Sequence, residues 1–125
     1  MSKESISKIY LILEKIEYIE AIVTNAGSIT NALHDLTTYR PAILMHLTSI
    51  AEQFDKIKKS ANNTLLEYFE ADDVKGIYDV RNYIAHDYEG VNLAIIEWII
   101  RHILPKFKEQ CTKIIESNSS NILKS

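Results

Sequence analysis

Glycine and proline are scarce in this chain: three and two among 125 residues. β-rich domains need tight turns, and tight turns draw on those residues. The shortage excludes a strand-and-turn architecture and predicts long helices with few connections. Cysteine occurs once, as Cys111, so no internal disulfide can form, and a reducing, cytoplasmic location is the default expectation. Cys111 reads as a half-buried helix residue rather than a nucleophile, because no histidine stands at nucleophile-like spacing near it. No apolar run reaches the ~20 residues of a membrane span. The longest candidate, 91–104, is interrupted by Asn92, Glu97, Arg101 and His102. The opening Met1-Ser2-Lys3-Glu4-Ser5 is polar and unlike a signal peptide. Positive charge is also lacking: the formal net charge is −3. That argues against nucleic-acid binding by bulk electrostatics, so any such contact would have to be local or use a basic groove formed by a dimer.

What is present is one domain's worth of chain with 46% hydrophobic and 25% charged residues, ordinary for a soluble globular fold. Apolar periodicity predicts a helix from about Ser5 to Asn25, with Ile6, Ile9, Leu13, Ile16 and Val23 forming a seam that Glu20 interrupts. Such a seam suits an antiparallel bundle or a dimer contact. Gly27 terminates it. Residues 28–36 read as a short helix or turn. Thr37 or Thr38 caps a helix running to about Lys59, with Pro41 tolerated in its first turn. Leu44, Leu47, Ile50, Ala51, Phe54 and Ile57 form its apolar face, and Lys56, Lys58 and Lys59 its basic end. Asn62 or Asn63 caps a short helix through Phe69. Asp72 caps a helix from Asp73 to about Tyr88, in which Gly76 implies close packing. A loop at Glu89-Gly90-Val91 leads to a helix capped by Asn92, which Pro105 should kink or break near Leu104. The expectation is an all-α, up-and-down bundle of four to five main helices, with one domain over 1–116 and a polar tail over 117–125.

Chemistry concentrates in Arg81-Asn82-Tyr83-Ile84-Ala85-His86-Asp87-Tyr88. An arginine can hold a phosphate in bidentate fashion, and a histidine can move a proton near neutral pH. On a wheel of roughly 100° per residue, Arg81, Asn82, His86 and Tyr88 are assigned to the side away from the core. Ile77, Val80, Tyr83 and Ile84 are assigned to the core side, and Ala85 leaves room for close approach. Arg81 and His86 are not stacked, so a straight helix splays them. They would converge best on a ligand held between two such helices, as in a symmetric pair. His34, His46, His86 and His102 show no metal-ligand spacing, and no cofactor is implied. Spacing alone also fits a solvated arginine and a helix-terminal histidine.

Arg81-Asn82-x-x-x-His86-x-Tyr88 resembles the Arg-x4-His-x-Tyr signature of HEPN domains, and most closely that of HepT-type toxins. The stretch from His86 through Asn92 to Pro105 resembles that family's C-terminal half. So does Leu47-Thr48-Ser49-Ile50-Ala51-Glu52, although Ala51 replaces a glycine common there. The resemblance implies a dimeric helical bundle with two motif copies at the interface, and a metal-independent endoribonuclease. His86 would then transfer protons, Arg81 hold the phosphate, and Asn82 orient one or the other. It also implies that a minimal nucleotidyltransferase antitoxin of the MntA kind silences the toxin by transferring AMP to Tyr88. The alternative within the same family is a non-catalytic module that binds nucleotide or RNA, or serves as the dimeric partner of the transferase. A plain helical adaptor is the third reading.

Overall fold

The computed structural model describes residues 3–60 and 64–124, with side chains described as far as residue 119. Six α-helices follow in order: α1 (Lys3–Ala26), α2 (Ile29–His34), α3 (Tyr39–Lys59), α4 (Ala71–His86), α5 (Leu93–Trp98) and α6 (Leu104–Lys124). A 3₁₀ turn, Thr64–Tyr68, precedes α4, and a π turn, Ile99–Ile103, joins α5 to α6. No strand occurs among the described residues, so the architecture is an all-α bundle. The caps expected at Asn62 or Asn63 lie outside the described residues.

The α1 seam is consumed inside the monomer. Ile9, Ile12, Ile16 and Ile19 are fully buried, and α1 packs against α3 and α6. The seam therefore gives no separate support for a dimer contact. Glu20, the interruption in the series, sits at the rim with both carboxylate oxygens on Lys108 Nζ of α6, at 2.8 and 3.1 Å. Gly27 ends α1 at φ +96°, a conformation that side chains disfavour, and its N–H bonds to the Val23 carbonyl. The α3 face forms as expected, with Leu44, Leu47, Ile50, Ala51, Phe54 and Ile57 buried. Thr38 occupies the N-cap position of α3 without a side-chain bond. The capping is done by Asp35, whose carboxylate accepts from the Tyr39 and Thr37 N–H groups. Those bonds, led by Tyr39, hold its carboxyl below the usual range.

Where the helices meet, Phe54, Phe69 and Phe107 form an aromatic cluster, with Phe54 at 4.9 Å from each of the other two. Helix α4 begins at Ala71, earlier than an Asp72 cap would allow, and Glu70 occupies the N-cap without a side-chain bond. The nearly buried Asp73 binds Lys106 Nζ at 2.7 Å, fixing the start of α4 against the first turn of α6. Gly76 is not a close-packing site: a Cβ there would meet nothing within 4 Å.

Pro105 neither breaks nor ends its helix. It is the second residue of α6, and the π turn lies immediately before it. The Leu104 N–H reaches back to the Ile99 carbonyl, five residues away. A wider turn supplies slack where proline cannot continue the normal ladder. Cys111 is fully buried rather than half-buried, and burial pushes its thiol up to about 12. The α6 backbone continues to Lys124, past residue 117 where the tail was expected to begin.

Candidate active site

The Arg81–Tyr88 segment occupies the last turns of α4 and the turn after it. Val74, Ile77 and Val80 are the buried residues of this part of the helix, and they hold it on α3. His86 is the last residue of α4, and the Asp87 N–H closes the helix on the Tyr83 carbonyl at 2.9 Å. The chain then turns sharply. The Gly90 N–H donates to Asp87 Oδ1 at 3.0 Å and to the Asp87 carbonyl at 3.2 Å. The Asp87 carboxylate lies so close to Gly90 that a Cβ there would overlap it. A side chain at position 90 would push that carboxylate aside, and the clasp closes the turn that carries Tyr88, at 40% exposure, just beyond His86.

Two faces of α4 divide the motif. Asn82 and His86 line an open depression of about 610 Å³ together with Asp79, Tyr83 and Ala85. Arg81 is not part of that lining. It is half-buried on the α3 side, with its guanidinium carbon 5.5 Å from the centre of the Tyr78 ring. Lys58 Nζ stands 5.8 Å from the same ring. The Asp55 carboxyl of α3 is held below its usual range, chiefly by Lys59 at 2.8 Å and to a lesser degree by the nearby Arg81 charge. Burial first, and then the Asp55 charge, raise the Tyr78 hydroxyl, and its Oη has no hydrogen-bond partner.

The assignment of one shared polar face is therefore corrected. On the same wheel Arg81 lies only roughly 20° from Val74 and roughly 40° from Ile77, which places it on the flank of the buried arc. Tyr83 lies roughly 120° from Ile77 and is 61% exposed rather than in the core. Val80, Ile77 and Ile84 keep the core side, Ile84 being partly buried. One chain thus brings Asn82 and His86 together on the depression and leaves Arg81 off it, with Tyr88 on the turn just beyond His86.

Sequence reasoning missed several participants. Asp79 and Tyr83 stand four and three residues from Tyr83 and His86 respectively, and a stricter wheel finds both. Asp87 and Gly90 form a local Asx-type turn that an Asp-x-x-Gly spacing signals. Tyr78 is recoverable as one turn before Arg81. Asp55 comes from another helix and left no local signal.

Beside Tyr83 a second, smaller depression of about 170 Å³ is lined by Val80, Tyr83, Val91, Asn92, Ile95 and Ile96. Asn92 caps α5 as expected, its Oδ1 accepting from the Ala94 and Ile95 N–H groups at 2.9 and 3.3 Å. Ile95 and Trp98 of α5 are 42% and 54% exposed, so an apolar surface adjoins the depression that holds His86. Among the described residues no three His, Cys, Asp or Glu side chains are grouped as metal ligands, and no helix is long and apolar enough to cross a membrane.

Chemically, an exposed imidazole with an amide one turn away can exchange a proton with a bound hydroxyl and orient its neighbour. A guanidinium on the adjoining face can stabilise phosphate charge, provided that the ligand reaches both faces or that a second helix supplies the other group. A family model described as "HepT-like: Ribonuclease HepT-like" matches residues 12–114, most of the chain. No curated protein and no solved structure matches it.

Proposed function

The chain belongs to the HepT-like ribonuclease family, and on that premise we propose that it is a metal-independent endoribonuclease and the toxin of a type VII-like toxin–antitoxin pair. The ribose 2′-OH attacks the adjacent phosphorus, and the bond from phosphorus to O5′ breaks. The products are a 2′,3′-cyclic phosphate and a 5′-OH, so the 2′ proton removed is balanced by the proton delivered to O5′. His86 transfers these protons, Asn82 orients the imidazole or a phosphate oxygen, and Arg81 stabilises the charge that develops on phosphate. The observation that carries this reading is the exposure of His86 and Asn82 on one wall of an open depression, in a family whose described activity is a ribonuclease.

Because Arg81 faces away from that depression, the reading favours a homodimer in which Arg81 and His86 of two copies meet in one cleft. A minimal nucleotidyltransferase antitoxin of the MntA kind, acting in the cytoplasm, would transfer AMP from ATP to the Tyr88 hydroxyl and release pyrophosphate. The adduct places a phosphate and an adenosine beside His86, where they exclude RNA and compete for Arg81.

The test is cleavage of total RNA by the pure chain, with analysis of the new ends. Cyclic phosphate and 5′-OH ends, lost in Arg81→Ala and in His86→Ala, support the assignment. Equal cutting by those variants overturns it. For Tyr88, intact mass is measured after incubation with the cognate transferase and ATP. A mass gain of one or more AMP units that Tyr88→Phe lacks supports the acceptor role.

The second reading, a non-catalytic module that binds nucleotide or RNA or partners the transferase, draws on two observations. The net charge is −3, and the Asp79 carboxylate lines the same depression as His86. Absence of cleavage together with a stable complex would favour it.

A further inference from the structure

An acidic chain that acts on RNA needs some source of grip other than a field of cations. We infer that Tyr83 and the small depression beside it seat one nucleobase of a single-stranded RNA, the base next to the phosphate held at His86. This inference rests on the ribonuclease reading and adds to it the class of substrate and how that substrate is gripped.

Four observations support it. Tyr83 is the residue common to the His86 depression and the small one, so a ligand spanning the two must cross its ring. Its 61% exposure leaves an aromatic face open to solvent beside polar groups, the arrangement on which unpaired bases stack. The small depression is walled by Val80, Val91, Ile95 and Ile96 and has about 170 Å³ of space, close to the ~150 Å³ apolar cavity that takes up a benzene ring. That suits one flat ring system rather than a whole nucleotide. Finally, the α5 cap engages only Oδ1 of Asn92, so Nδ2 keeps two hydrogens to donate to the edge of a seated base. The preference is for a base with a carbonyl edge, uracil or guanine, over adenine. Stacking requires no counter-charge, which reconciles RNA binding with a net charge of −3. It also implies a shallow dependence of affinity on salt.

The experiment uses the full chain and single-stranded RNA oligonucleotides of mixed sequence. Tyr83→Leu should raise KM roughly tenfold with kcat within about twofold, and Tyr83→Phe should restore most of the loss. An abasic nucleotide at one position beside the cut should raise KM by a similar factor in wild type and add nothing in Tyr83→Leu. An unchanged KM in Tyr83→Leu, or penalties that multiply, overturns the base seat while leaving the ribonuclease intact. If Tyr83→Leu instead halves the molar mass seen by light scattering, the ring serves a contact between copies and the proposal falls. If wild type cuts no RNA, the ribonuclease reading fails separately. In that case 5-iodouridine-substituted RNA, photo-crosslinked to the protein and mapped by mass, still decides: a crosslink on Tyr83 supports the seat, and its absence removes it.

Discussion

The Arg81 guanidinium carbon stands 5.5 Å from the centre of the Tyr78 ring, so the motif's permanent cation is parked on the α3 side of α4 while His86 opens on the other. The ring acts as a platform for the cation, and its hydroxyl is a buried group without a partner. Tyr78→Phe keeps the platform and removes the orphan. We expect it to raise stability by about 1 kcal/mol in urea unfolding with cleavage preserved. Tyr78→Leu removes the platform as well, and the loss of a cation–π contact of ~0.5–1 kcal/mol should lower RNA cleavage by a few-fold. A destabilised Tyr78→Phe would show that the hydroxyl has a partner after all.

Gly90 and Asp87 should behave as a unit. Gly90→Ala forces the Asp87 carboxylate away and should cost about 1 kcal/mol through the loss of its hydrogen bond from the residue-90 N–H. In the double variant Gly90→Ala, Asp87→Ala the clash is gone, so the two effects should fall well short of additive in a double-mutant cycle. Strict additivity in thermal unfolding would contradict the clasp.

Gly76 offers a stabilising change. A methyl group there meets open space, and a helix-interior Gly→Ala exchange is worth about 1 kcal/mol. Gly76→Ala should therefore raise the urea midpoint without altering cleavage. A lower midpoint would mean that the site is packed in solution.

His46 provides a pH signature. Its pKa is held below the usual value, first by burial and then by the Lys15 charge. In the unfolded chain the imidazole takes a proton near pH 6.5, and in the folded chain only at lower pH. The unfolded state thus binds more protons in that window, and stability must fall as pH drops from about 7 through it. His46→Gln should flatten this acid limb in urea titrations at successive pH values, and an unchanged slope would count against the assignment.

Association can be read from Trp98, the chain's only tryptophan. At 54% exposure, with its ring centre 5.6 Å from that of His102, it should move to a less polar setting if the copies meet on this face. Its emission should shift to the blue as concentration rises, with light scattering reporting a dimer. Trp98→Glu should hold the chain monomeric and depress cleavage, whereas a red emission maximum on a dimer would place the contact elsewhere.

Much of the fold was legible because it is local. Gly27 as a stop, Asn92 as a cap, and the apolar faces of α1 and α3 follow from spacing and side-chain chemistry alone. What escaped the sequence depends on partners far along the chain. Asp72 was expected to cap α4 but lies inside it, the neighbouring Asp73 binds Lys106, and Asp35 supplies the cap that Thr38 lacks. Within the motif, His86 and Asn82 were placed together correctly. Arg81 and Tyr83 were exchanged, because a polar residue was taken to mean solvent and an aromatic one to mean core. The wheel angle, taken without that assumption, puts each where the structure has it. Arg81 can lie near the core because its stem is apolar and Tyr78 and Asp55 receive its charge.

The wide turn at Ile99–Ile103 also matters in time. A π turn is a rare single-turn departure from the helix around it, and Pro105 contributes no amide proton to the ladder. The rod from Leu93 to Lys124 should therefore open in two steps rather than as one unit. Phe107, Cys111 and Ile114, all in the core, keep α6 on the long clock of global unfolding. The short α5 segment, which walls the pocket beside Tyr83, should run on a faster one. Amide exchange along this rod should be stepped at Ile103, and the breathing half is the half that meets the ligand.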